Sequence, residues 1–200
     1  MGKTTATDKE QAKRRMILGA ARRLLVERGF QDATLDDVAK KAGVAKGTLF
    51  LYYRSKEELF TAVFSDLVDK LGSALEQVAA SSFRGRGLLD EAARVVLQHF
   101  DENSDFMAQF GAGRFPGCGG RSSERLIEKF GANLGRMTAI LKSCAADGLI
   151  KGSDLESTAA FLFALCRSTI LYNYMKKIDR PLSARRAQVA EMFLHGVGKR

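Results

Sequence analysis

Apolar residues recur along this chain at helical spacing and nowhere in a convincing alternation of period two. Ile17, Ala20, Ala21, Leu24 and Leu25 fall at i, i+3, i+4, i+7 and i+8, the buried stripe of a helix expected over about residues 9–28 and ended by Gly29. Leu35, Val38, Ala39 and Ala42 mark a short second helix, for which Thr34 and Asp37 form a T-x-x-D capping pattern. Gly43 breaks it, because glycine reaches the φ > 0 conformations of a tight corner. Val44 plugs that corner, and a third helix follows over 46–53. This is the anatomy of a helix-turn-helix over about 34–53, a motif whose second helix enters the DNA major groove.

Ser55 and Glu58 form a capping box for a fourth helix carrying Leu59, Phe60, Val63, Phe64, Leu67 and Leu71 to about residue 80. It is too long for a small N-terminal unit and reads as a rod between two domains, 9–72 and 73–200. Helices are then expected over 88–102, briefly over 105–110, and over 123–146 with Leu126, Phe130, Leu134, Met137, Leu141 and Cys144 inward. The glycine-rich GAGRFPGCGG at 111–120 reads as a loop. Ser153 with Glu156 opens a helix to about 177, and Pro181 separates it from a last one over 183–197. The fold class is all-α, with residues 1–8 a disordered polar tail.

The helix over 153–177 is apolar nearly all round, with Phe161, Leu162, Phe163, Leu165, Ile170, Leu171, Tyr172, Tyr174 and Met175 on more than one face. Such a helix must be covered on both sides. Its own core supplies one cover and a partner subunit the other, so 153–177 and 183–197 are expected to form a two-fold, four-helix homodimer interface.

Charge sharpens the picture. The formal net charge is +9; residues 1–60 carry 13 Lys and Arg against 8 Asp and Glu, so the first third is the denser in positive charge. That balance favours polyanionic partners. Three widely spaced cysteines, Cys118, Cys144 and Cys166, argue against a disulfide framework and a zinc site. No apolar run approaches a membrane span, and the N-terminus lacks the apolar core of a secretory signal, so a cytoplasmic protein with no membrane partner is expected.

The stretch ILGAARRLLVERGFQDATLDDVAKKAGVAKGTLFLYYRSKEELFTAVF, about residues 12–64, resembles the N-terminal domain of the TetR/AcrR transcriptional regulators nearly end to end. Its most specific part is GVAKGTLFLYYRSKEEL. The resemblance implies a homodimeric repressor: a three-helix DNA-binding head joined by helix four to a helical domain that dimerises and often holds an inducer.

The DNA-binding candidates are Thr34, Lys46, Gly47, Thr48, Phe50, Leu51, Tyr52 and Lys56. Lys46 and Gly47 open the recognition helix, where glycine lets a backbone approach closely. Thr48 can donate its hydroxyl to a phosphate or bond back into the helix. Phe50 stands where the family usually has tyrosine; its ring can pack on a thymine methyl or in the core beside Leu49. Leu51 is exposed by the same periodicity, a second apolar base contact. Tyr52 occupies the family's His/Tyr position, suited to a phosphate, whereas Tyr53 belongs to the core. Lys56 and Thr34 sit at the first turns of their helices, where ammonium, hydroxyl and amides can clamp phosphate. Asp36 and Asp37 are assigned to capping and the helix dipole.

Phe100, Phe106, Met107, Phe110, Phe115, Phe130 and Met137 can line a pocket for a hydrophobic effector or simply fill the core. His99 and His195 have no ligand partners at metal spacing, and GAGRFPG lacks the dinucleotide-binding spacing. Cys118 is a candidate redox-sensing thiol, Cys144 and Cys166 core residues. No catalytic set, metal site or cofactor is expected. The leading function is a ligand-responsive repressor released from a pseudo-palindromic operator by a small hydrophobic effector. The alternative is an architectural or adaptor DNA-binding protein without an inducer.

Overall fold

A computed structural model describes residues 6–104 and 121–197 of the chain. The described residues form α1 (Ala6–Asp32), α2 (Leu35–Ala42), α3 (Lys46–Tyr52), α4 (Lys56–Ala79), α5 (Gly85–Asp101), α6 (Arg121–Ala146), α7 (Leu155–Lys176), a 3-10 turn (Leu182–Arg185) and α8 (Arg186–Val197), and hold no strand. The all-α class follows from the 3.6-residue spacing of the apolar positions. The expected helical turn at 105–110 and the loop at 111–120 lie outside the described residues.

Two compact units divide the chain. One ends at Leu67 and takes in the start of α6 up to Leu126; the other runs from Val68 to Ser104 and from Ile127 onwards. The first has its own core, in which Ile17, Leu24 and Leu25 of α1 meet Val38 and Ala42 of α2, Leu49 and Tyr53, and Leu59, Phe60, Val63 and Leu67 of α4. Gly29 leaves helical geometry at φ 75°, ψ 176°, breaking α1 near its expected end. The break swings Phe30 inward, where its ring meets Phe60 edge-on at a centroid distance of 5.1 Å.

The second unit buries Leu71, Leu75 and Val78 of α4 with Leu89, Ala93 and Val96 of α5, Met137 and Leu141 of α6, Leu162 and Cys166 of α7, and Val189 and Phe193 of α8. Thus α4 is one unbroken helix whose first half packs in one core and whose second half packs in the other. Its second half is latched to α6 by polar groups. Asn133, 3 % exposed, donates its Nδ2 to the Val68 carbonyl at 2.9 Å and accepts Arg136 Nη1 at 3.1 Å. Arg136 Nε reaches Glu76 at 2.7 Å, and Lys129 pairs with Asp69. Gly72 makes room for this latch, since a Cβ there would stand 2.6 Å from Asn133 Oδ1.

Several element ends differ from expectation, two of them because the partners of their first N–H groups come from afar. The helix expected to start at Leu88 starts at Gly85, whose N–H is taken by the Asp147 carboxylate at 2.8 Å. Asp154, not Ser153, caps α7, accepting the Ser157 N–H at 3.0 Å. The last helix opens with the 3-10 turn at Leu182, whose N–H and that of Ser183 are held by Asp101 at 2.7 and 3.0 Å. Phe130 departs from the inward stripe of α6 and is 50 % exposed; Asn133 takes the inward place beside α4.

On α7 the stripe Ala159, Leu162, Cys166 and Asn173 faces the unit's own core. Phe161, Leu171, Tyr172, Tyr174 and Met175 remain 50–70 % exposed, as does Met192 of α8 at 57 %. The side chain of Asn173 is buried with neither amide atom hydrogen-bonded among the described residues.

Candidate nucleic-acid interface

The recognition element is assembled from local caps and one corner. Thr34, extended at φ −114°, ψ 158°, accepts the Asp37 N–H at 3.1 Å and donates its hydroxyl to Asp37 Oδ2 at 2.7 Å. That hydroxyl bond, with Arg28 at 3.3 Å, holds the Asp37 carboxyl below its ordinary pKa. In the free chain the Thr34 hydroxyl proton therefore serves the cap. Gly43 closes α2 in the left-handed region at φ 67°, ψ 31°, and Val44 N–H returns to the Ala39 carbonyl at 3.0 Å. A side chain at 43 would pay for that φ in strain, so glycine is the residue the corner needs.

On α3 one residue faces in: Leu49 is fully buried. At 100° per residue the positions opposite it are 47 and 51. Leu51 is accordingly 86 % exposed, and a Cβ added at Gly47 would meet nothing within 4 Å. Phe50, 40 % exposed, flanks this ridge on the same side as Lys46, whose ammonium lies 5.9 Å from the ring centroid. Of the two readings of Phe50, the structure keeps the ring out of the buried core. Thr48 and Tyr52 are half-buried on the other flank, and Tyr53 is buried as expected of a core residue. Burial raises the Tyr53 phenol above its ordinary pKa, and Arg14 Nε donates to its oxygen at 3.3 Å.

The cations are placed differently from one another. Lys46 Nζ reaches Asp36 Oδ2 at 2.9 Å, with both side chains at least half exposed. Asp36, in the first turn of α2, thus bridges α2 to α3. An exposed pair of this kind is worth about 0–1 kcal/mol, so Lys46 is readily surrendered to a phosphate. Lys56 donates to the Gln31 carbonyl at 2.9 Å and sits 4.5 Å over the Phe30 ring. An ammonium carries three donors, so protons remain for a ligand. Behind Lys56, Ser55 accepts the Glu58 N–H at 3.1 Å, and Glu58 reaches back to the Arg54 N–H at 2.8 Å, one residue before the place an ordinary capping box would use. Sequence reading missed the Lys46–Asp36 and Lys41–Glu27 pairs. Only the facing of α2 and α3 brings those charges together.

The effector candidates are scattered by comparison. Met137 is fully buried, Phe100 is half-buried against the same core, and Phe130 is half exposed. Phe106, Met107, Phe110, Phe115 and Cys118 lie outside the described residues. Among the described residues no group of His, Cys, Asp or Glu is placed to hold a metal ion, and no helix is long and apolar enough to cross a membrane.

Comparison with known proteins agrees with this geometry. Residues 17–63 match the family described as bacterial regulatory proteins, tetR family. The fatty acid metabolism regulator protein of Bacillus subtilis (strain 168) is 24 % identical over 187 residues, covering 90 % of this chain and 93 % of that one. The fatty acid degradation regulator FadR of Bacillus halodurans superposes with a TM-score of 0.78 at 19 % identity, over 92 % of this chain and 95 % of that one. FadR of Bacillus subtilis, solved in complex with stearoyl-CoA, superposes with a TM-score of 0.77 at 20 % identity, over 91 % and 98 % of the two chains. The matched span 17–63, with the helix-turn-helix inside it, is a tetR-type DNA-binding region, and the relatives that match over most of the chain are named as regulators of fatty acid metabolism.

Proposed function

We propose that this chain works in the cytoplasm as a homodimeric repressor, released from a pseudo-palindromic operator by a hydrophobic effector. The observation that carries the DNA-binding part is the outward ridge of α3. Gly47 and Leu51 stand opposite the buried Leu49, with no packing role inside the chain. Lys46, Thr34 and Lys56 supply the phosphate contacts around that ridge, with Thr48 and Tyr52 on its far flank and Phe50 on its near one. The exposed apolar face of α7, with Met192 of α8, supports a two-fold interface with a second copy. We assign residues 9–72 to DNA binding and 73–200 to dimerisation and effector binding. A long acyl chain is the effector class, on the strength of the relatives named for fatty acid regulation and the one solved with stearoyl-CoA. The core around Phe100 and Met137 is where the acyl chain is received. The effector acts by binding the DNA-free form more tightly, and α4 carries the coupling.

The test is a titration onto labelled DNA from upstream of the chain's own gene, with and without stearoyl-CoA. Saturable, sequence-selective, steeply salt-dependent binding by a dimer is expected, weakened by stearoyl-CoA. Lys46→Ala should lower the salt slope by about 1. Equal affinity for random DNA would favour an architectural role, and binding indifferent to stearoyl-CoA would remove the acyl effector.

A further inference from the structure

We infer that α3 identifies its half-site chiefly by the C5-methyl groups of pyrimidines in the major groove, with Leu51 and Phe50 as the reading side chains. The inference rests on the DNA-binding part of the proposed function and says which base feature that site reads.

Base pairs in the major groove are told apart by hydrogen-bond donors and acceptors and by the thymine methyl. The usual bidentate readers are Arg or Lys for guanine, Asn or Gln for adenine, and Asp or Glu for cytosine. Lys46–Tyr52 reads KGTLFLY and contains no Arg, Asn, Gln, Asp or Glu. Its one cation, Lys46, has its ammonium paired with Asp36 of α2 at 2.9 Å. Its hydroxyl-bearing residues, Thr48 and Tyr52, are half-buried on a flank. What the helix presents outward is hydrocarbon: Leu51 at 86 % exposure and the Phe50 ring at 40 %.

Holding a leucine that far into water gains the free chain nothing, and the contacts it can make in a groove are apolar. Beside it, Gly47 projects no side chain, and the space a Cβ would take is empty. The helix can therefore sink until Leu51 and Phe50 touch the groove floor, where the C5-methyl is the apolar feature. That methyl is absent from uracil and present in 5-methylcytosine. The surface should respond to the methyl and not to the identity of the pyrimidine that carries it.

The half-site is first selected from a random duplex library with the full-length protein. Each thymine of the selected half-sites is then replaced by deoxyuridine, which keeps the base pair and removes only the methyl. One read methyl is worth about fourfold in Kd, the value of a single buried methyl(ene), and about 15-fold when both half-sites lose it. Replacing a read T·A pair by C·G should weaken binding, and 5-methylcytosine·G should recover about fourfold of that loss. Leu51→Ala and Phe50→Ala alter exposed side chains and leave the fold intact; they should abolish the thymine–uracil difference. Lys46→Ala should weaken both duplexes equally. Failure to enrich any sequence overturns the DNA-binding reading itself. A selected site whose deoxyuridine form binds as well at every position, or a Leu51→Ala/Phe50→Ala protein that still discriminates, overturns the methyl reading alone.

Discussion

Adding one methyl group at Gly47 should make the protein more stable and a worse DNA binder, and the opposite signs make the substitution diagnostic. Gly47 is the second residue of α3, it does not have a positive φ, and a Cβ there would meet nothing within 4 Å. Nothing among the described residues requires glycine there. Gly→Ala in a helix gains roughly 0.5–1 kcal/mol, mainly by reducing the freedom of the unfolded chain. At about 2–4 °C per kcal/mol for a chain of this length, Gly47→Ala should melt about 1–4 °C higher by circular dichroism. The same Cβ would stand on the ridge with Leu51, in space the DNA is proposed to fill. Forcing a methyl into a closely packed contact costs about 1–3 kcal/mol, or roughly five- to 150-fold in Kd by fluorescence anisotropy. The reasoning is refuted if Gly47→Ala binds the selected duplex as tightly as the parent. A lower melting temperature would show that glycine has an internal role the geometry does not contain.

Three further outcomes follow from contacts in the second unit. Gly72→Ala should destabilise it by about 1–3 kcal/mol in urea, because its Cβ would sit 2.6 Å from Asn133 Oδ1 and turn that buried amide off the Val68 carbonyl. Asp101→Ala should cost about 1–2 kcal/mol, the scale of a lost cap, and speed hydrogen exchange at Leu182 and Ser183, whose N–H groups it holds. Burial pushes the Cys144 thiol up to about 11 and the Cys166 thiol up to about 12. Iodoacetamide at pH 8 should therefore label neither in the native chain and both after unfolding, as read by mass spectrometry.

Most features settled within one turn of helix were legible in the sequence, the cap of α7 by Asp154 in place of Ser153 being an exception, and features settled across the fold were not. The Thr34 cap, the Gly43 corner and the Ser55–Glu58 cap each join residues three or four apart, so composition and spacing sufficed to place them. The outward Leu51 followed from the helical period, and the buried Tyr53 from the resemblance, which puts it where the family has a phenylalanine. The start of α5 did not, because its N–H partner is Asp147, 62 residues away. Neither did the tie between Lys46 and Asp36, which needs α2 and α3 already folded against each other. Phe130 shows the same limit from the other side: its spacing on α6 is that of a core residue, yet Asn133 takes the place against α4. Apolar spacing says which face of a helix is greasy, not how far along the helix a partner continues to cover it.

If the head reads DNA as proposed, the weak pairing of its cations would let so basic a surface be selective. A head whose lysines and arginines all pointed freely outward would hold any duplex strongly, since phosphate attraction carries no sequence information. Here Lys46 is shared with Asp36, Lys41 with Glu27 and Arg28 with Asp37, each an exposed pair that costs little to open. On DNA each cation must exchange a carboxylate for a phosphate, and the carboxylate stays nearby to repel the backbone. The net electrostatic attraction is therefore smaller than the count of basic residues suggests, equally so for every sequence. Against that lowered background, a few methyl contacts at Leu51 and Phe50, each worth only about 0.8 kcal/mol, become a large share of what separates one site from another. Lys56 fits the same logic from α4. Its ammonium is held by the Gln31 carbonyl and the Phe30 ring, which would make it a fixed point for a phosphate in the proposed complex. In the proposed mechanism, α4, which contributes Leu71, Leu75 and Val78 to the second core, is the helix through which a repacking there would reach this point. A coupling of 1–3 kcal/mol, the usual scale, then suffices to cancel one to a few such methyl contacts and release the site.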